Sequence, residues 1–465
     1  MTMSIICAVM LIVSAAVCWS VSRVRFNAGS LTACAWLVVL LLASLPGVLD
    51  PSLLPKTKRI IFWIGVGCLG FAVGWALMSS RRESTSIRVS SAALRKTHRI
   101  LLALLAVGTA IDIYNLYPVV HELGGFGALW AGGGGGADFR LLAISERQAQ
   151  LAGGANWFAG ILTYLAAPGL LAPITGALMW KGRKFLDAAF PLAIVGLRAV
   201  VILERTSFMM SLLLFLLSLS LLRLARVEFD GVEIEPQEKS QRKLSRIVVA
   251  AAALAVAVGA LLLPLLARNS GTTRTTGWAS LSQYLLSSVG GLNYQIAVGV
   301  AFSPSMDSFT SQIGSYPGFG AYTFSGAFSV LRRVGLPLPF APQFTDYYTI
   351  YLFGQPFSTN TSTMLRSLHM DFGTPGSYVA LFLLFWASGW CARSVAQGNF
   401  RVIAVYAVVG GSLVWSFFGN GMIADFRYLF AMVGSFWIFS RIVSQPSDVQ
   451  TEVDMPESFP VSEVN

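Results

Sequence analysis

The stretch TNTSTMLRSLHMDFGTPG, residues 359–376, concentrates groups that can do chemistry: an arginine, one of only three histidines, an aspartate and two glycines. Helical spacing gives it two faces. Leu365, Leu368 and Phe372 form an apolar stripe, while Thr363, Arg366 and His369 at i, i+3 and i+6 form another. Gly373, Pro375 and Gly376 then stop the helix. Such a half-helix is expected to pack on a bundle by one face and to present Arg366 and His369 to an outward cavity. Histidine exchanges a proton near neutral pH, and Asp371 either orients it or acts as the base itself. The plainer alternative is that His369 and Asp371 satisfy local backbone groups. Asp371-Phe372-Gly373 also spells the metal-binding triplet of protein kinases. The chain lacks a glycine-rich loop followed by a strand lysine and lacks a His-Arg-Asp loop, so that reading is rejected. Asn360-Thr361-Ser362 forms a glycosylation sequon, a triplet common by chance.

The elements that must position these residues are membrane helices. The chain has 465 residues, 55% hydrophobic and 12% charged, against about 25% charged in soluble domains. Its apolar residues fall in blocks of about 18–24, the length of helix that crosses a bilayer core. Eleven spans are expected: 3–21, 29–49, 60–78, 100–117, 156–179, 185–203, 207–224, 247–266, 377–395, 402–420 and 422–443. The fold class is therefore all-α, a polytopic membrane bundle. With the N-terminus outside, twenty Lys and Arg residues fall on the cytoplasmic side and seven on short outer segments, the asymmetry that sets orientation. The net charge of +11 thus needs no nucleic acid; it suits anionic lipid headgroups. Four regions follow: residues 1–266 with the first eight spans, 267–376 as one large outer loop or lid of short helices, 377–443 with the last three spans, and 444–465 as a disordered cytoplasmic tail. An uninterrupted loop of about 110 residues is usually functional.

The outer basic residues are the informative set. Apart from Lys56, Lys58 and Arg59 they are all arginine: Arg140, Arg147, Arg205, Arg268, Arg274, Arg332, Arg333, Arg366 and Arg427. Guanidinium binds phosphate oxygens bidentately and stays charged at any working pH, so several of them suit a pyrophosphate headgroup on a lipid. Arg205, in the rim turn Glu204-Arg205-Thr206-Ser207, is held by helices on both sides, and pairing with Glu204 is the competing reading. Arg198 lies mid-span and must face the interior or a wet cavity; a structural network with Asp187 or Asp112 is the expectation. Arg427, a few residues into the last span, is placed to snorkel outward. Gly132 to Gly136 are followed by Ala-Asp-Phe-Arg rather than Gly-Lys-Ser/Thr, so they read as a linker and not a phosphate loop. The five cysteines form no C-x-x-C pair, and there is no D-x-D motif or paired histidine. No metal site and no cofactor are expected.

The chain resembles the bacterial oligosaccharide repeat unit polymerases, the Wzy-type O-antigen and exopolysaccharide polymerases. Three features carry the resemblance: the many-span plan with one large loop near the C-terminal third, the rim turn LERTSF, and the pattern Asn360, Thr363, Asp371, Phe372, Gly373, Gly376. The rim turn is similar to the family's G-R-[ST]-rich turn, with Glu204 where glycine is usual. The resemblance implies a metal-independent glycosyltransferase of the helical C type. It would act on the periplasmic side of the inner membrane, transferring a growing glycan from undecaprenyl diphosphate to another lipid-linked repeat unit. Arg205 and Arg274, then Arg140 and Arg366, would hold the diphosphate, Asn360 would line the glycan site, and His369 or Asp371 would take the proton. Implied partners are the donor and acceptor lipids, the bilayer, a chain-length regulator and a flippase. An O-antigen ligase and a lipid-linked oligosaccharide flippase are the rival readings; against the second, the chain shows no internal repeat of the kind many transporters carry.

Overall fold

The structure, a computed structural model, describes residues 2–24, 26–45, 57–78, 87–125, 157–201, 206–225, 227–230, 286, 320, 322–333, 335–336, 348–352, 355–359, 363–417 and 421–443. In chain order the helices are α1 (Thr2–Ser22), α2 (Ala28–Ala43), α3 (Thr57–Leu77), α4 (Ser91–Glu122), α5 (Trp157–Ala166), α6 (Ala172–Lys181), α7 (Phe185–Val201) and α8 (Thr206–Leu222). They continue with α9 (Ser325–Arg333), α10 (Met364–Ala396), α11 (Ile403–Val414), α12 (Gly421–Ala424) and α13 (Phe426–Ser440). Among the described residues, each segment expected to span contains helix; 247–266 lies wholly outside them, as do 46–49, 156, 202–203 and 418–420. Five helices are long and apolar enough to cross a membrane: Ile60–Leu77, Ser91–Glu122, Ile161–Lys181, Pro375–Ala396 and Phe400–Phe417. Ala8–Ser22, Ala28–Ala43, Thr206–Leu222 and Phe426–Ser440 are shorter and equally apolar in character. Val433, Leu186, Leu197, Leu165 and Val379 lie exposed on the outside of the bundle, an apolar surface that lipid solvates and water does not. The fold is that of an all-α membrane protein.

With no hydrophobic gain from leaving lipid, such helices associate through close packing and interhelical hydrogen bonds. Both are visible. Gly70 and Gly74 on α3 let its backbone meet the Phe382 and Trp386 carbonyls of α10, where an added methyl would collide. Trp63 Nε1 donates to Ser377 Oγ at 3.0 Å and Trp36 Nε1 to Ser416 Oγ at 2.8 Å. Asn27 joins α1 to α2: its Nδ2 donates to the Cys18 and Val24 carbonyls, while its Oδ1 caps α2 by accepting from Ser30 N.

Two findings depart from the sequence reading. Small sheets accompany the helices: β1 (Ile87–Ser90) pairs in parallel with β2 (Val227–Asp230), and β3 (Tyr348–Leu352) pairs antiparallel with β4 (Gln355–Thr359). The outer segment, expected as short helices only, thus contains a hairpin as well as α9. The alternation in YTIYL and VEFD carried that signal, masked by the surrounding helical hydropathy. Helix α4 also begins earlier than 100, at a Ser90 cap whose Oγ accepts from Ala93 N at 3.3 Å, and runs through Pro118 to Glu122.

A few polar contacts establish which helix ends lie together. Ser90 N donates to Ile442 O at 3.0 Å, Val89 bridges Val443, and Lys181 Nζ donates to the Leu222 and Ala225 carbonyls. The start of α4 and the ends of α6, α8 and α13 therefore share one end of the bundle. The sequence placed all four on one side of the membrane.

Candidate functional site

At the opposite end, four charged side chains meet. Arg198 sits near the C-terminal end of α7 and is 5% exposed. Its Nη2 pairs with Asp112 Oδ2 of α4 at 2.8 Å, and its Nη1 donates to Ser207 Oγ at the start of α8. Arg427, in the first turn of α13, reaches the same Asp112 oxygen at 3.5 Å. It is gripped more closely by Asp425, with Nη2 at 2.7 Å from Oδ2 and Nε at 3.1 Å from both oxygens. Asp425 Oδ1 also accepts from Arg427 N at 2.9 Å and so caps α13. Two guanidiniums and two carboxylates balance formally. That balance makes the buried charges tolerable, since an ion removed from water without its partner costs several kcal/mol.

This cluster borders a cavity of about 100 Å³, space for a few water molecules. Thr109, Asp112, Thr163, Arg198, Ser207, Asp425 and Arg427 form its polar side, and Leu104, Leu105, Leu170, Val195 and Met210 its apolar side. A guanidinium is a fork of five donors, so one gripped along an edge by a carboxylate can still offer N–H groups to a second anion. The cavity thus sets two guanidiniums and two carboxylates against an apolar wall. Among the described residues no cluster of three or more metal-ligating side chains occurs.

Of the expected network for Arg198, Asp112 is the partner and Asp187 is not. Asp187 lies in the first turn of the same helix α7, about 16 Å along the axis at 1.5 Å per residue. Spacing alone would have separated the two. Arg427 does not snorkel: Asp425 and Asp112 hold it inward. Asp425 was missed in the sequence; its signal was an N-cap residue directly before an apolar run.

Arg140, Arg205, Arg274 and Asn360 lie outside the described residues. Within the opening stretch, the helix does break where expected, at Gly373 (φ 64°, ψ −175°), and Pro375 restarts it at once, so α10 is two helices joined at a kink. The polar face, however, does not open outward. Thr363 is 0% and Arg366 3% exposed, buried as fully as Leu365 and Leu368, and Arg366 does not line the cavity. The His369 ring meets Trp63 edge-on, with centroids 6.2 Å apart. Asp371 accepts from two backbone N–H groups of the outer segment, Tyr322 at 3.0 Å and Thr323 at 2.6 Å. Neither His369 nor Asp371 lines the cavity. No family model matches the chain, and neither a curated protein nor a solved structure is similar to it.

Proposed function

We propose that this chain is a multi-pass glycosyltransferase of the inner membrane, with eleven spans, a periplasmic N-terminus and a cytoplasmic C-terminus, that polymerises undecaprenyl-diphosphate-linked repeat units. The observation that carries the reading is a pair of arginines, buried Arg198 and partly buried Arg427, sharing one carboxylate beside a cavity at one end of the bundle. In the reaction an acceptor hydroxyl attacks the donor's anomeric carbon, the bond from that carbon to the phosphate oxygen breaks, and undecaprenyl diphosphate departs. Diphosphate leaves without being protonated, so the need is for cations at the developing charge, which act most strongly where water is scarce. Arg198 and Arg427 supply them. A diphosphate that takes over these guanidiniums releases Asp112, and the freed carboxylate can then accept the hydroxyl proton. A positioned base contributes about 10²–10⁴-fold. His369 and Asp371 lie outside the cavity lining.

The test is the glycan ladder of a deletion strain complemented with Arg198→Ala, Arg427→Ala and Asp112→Asn. Single-repeat product without a ladder is the expected result for each. Complete loss of surface glycan points instead to a ligase or a flippase. A normal ladder from all three variants, each present in the membrane at wild-type level, sinks the assignment.

A further inference from the structure

We infer that Asp371 is a positioning residue, latching the outer segment onto the bundle beside the charged cavity. Its two carboxylate oxygens take the consecutive N–H groups of Tyr322 and Thr323, 49 and 48 residues away in sequence. Both of those residues are buried, at 4% and 1% exposure. They sit in a tight turn: Phe324 N donates to Gly320 O at 2.8 Å, and Gly320 takes φ +92°, which disfavours any side chain there. Helix α9 starts at Ser325, immediately after this turn, and packs against α12 and α13. The N-terminal end of α13 carries Asp425 and Arg427. Contacts thus connect Asp371, through the 320–324 turn and α9, to α13, whose first turn lines the cavity. Gly373 breaks α10 two residues beyond Asp371. The half-helix that bears the latch therefore need not follow the axis of Pro375–Ala396, and the two hydrogen bonds fix its relation to α9.

The consequence for chemistry rests on the cavity being the reaction site; the latch itself does not. Amide hydrogen exchange on the full chain in lipid nanodiscs reads the latch directly. Asp371→Ala is expected to speed exchange across residues 322–333 by about tenfold or more, as loss of charge-assisted hydrogen bonds predicts, and to shorten the glycan ladder. Asp371→Asn keeps the volume and one acceptor oxygen and should fall between; Asp371→Glu, with both oxygens, should restore protection and ladder in part. Unchanged exchange in Asp371→Ala and Asp371→Asn overturns the latch, and faster exchange with a wild-type ladder overturns its positioning role. Arg198→Ala is the control. It should abolish the ladder while leaving 322–333 protected. If it and Arg427→Ala both retain the ladder, the cavity is not the reaction site, and the exchange data still decide the latch.

Discussion

At one end of the bundle Arg23, Arg88, Arg95, Lys96, Arg99, Arg183, Arg223, Arg401 and Arg441 stand exposed, with Asp187, Glu228 and Asp230 nearby in the sequence or sheet. At the other, Arg198 and Arg427 are drawn inward onto Asp112 and Asp425. The first arrangement leaves like charges close together: partial burial, then Arg95 and Arg99, push the Lys184 ammonium below its ordinary range. Such a surface is neutralised by anionic headgroups, at about 1 kcal/mol per basic residue. The second is neutral within itself and needs no lipid. One end leaves its charges open at the surface, and the other pairs them inside the bundle.

If that contrast is right, the largest effect belongs to the buried end. Arg198→Ala leaves Asp112 leaning on Arg427 alone; it should destabilise the protein by about 3–5 kcal/mol, the usual result of breaking a buried pair, seen as a lower Tm in detergent. Arg198→Lys keeps the charge but not the fork and should recover part of the stability and little of the ladder. Next comes Gly373→Ala. Nothing lies within 4 Å of the position, so the whole cost is backbone strain at φ 64°, about 1–3 kcal/mol, again measured as Tm. Asp425 separates two roles: Asp425→Asn retains the cap, whereas Asp425→Ala also loses it, a further difference of about 1 kcal/mol.

The basic end should respond least. The Arg88–Glu228 pair spans register partners of β1 and β2 at 4.0 Å with both side chains about half exposed; its removal should cost about 0–1 kcal/mol. Lys184→Met should raise Tm slightly at neutral pH, because the folded state there carries a charge it disfavours. The gain should fade as pH rises through the lowered folded value toward the ordinary lysine range, where the unfolded ammonium also loses its proton. Arg95→Gln with Arg99→Gln should lose stabilisation by anionic over zwitterionic lipid and leave the ladder intact. Equal lipid dependence in Arg198→Ala would erase the contrast.

Much of this was legible in the residues. Hydropathy placed the helices because a lipid-facing helix must be apolar along its length, and the half-helix ending at Gly373 followed from spacing and glycine. A mid-span arginine had to find a carboxylate. What did not follow was the direction of the 363–369 polar face. Thr363 and Arg366 are buried as Leu365 and Leu368 are, and Trp63 meets the ring of His369. Amphipathic spacing reports a difference between faces, not what covers each one.

The sequence by itself determined the solvent of this protein, the course of its helices and the need to pair Arg198, because helix period, burial length and the cost of a lone charge in lipid are local quantities. Only the tertiary structure decided that one oxygen of Asp112 serves both Arg198 and Arg427, and that Asp371 reaches backbone 48 residues away. Those pairings depend on which helix ends meet, and that is fixed by the packing of the whole bundle.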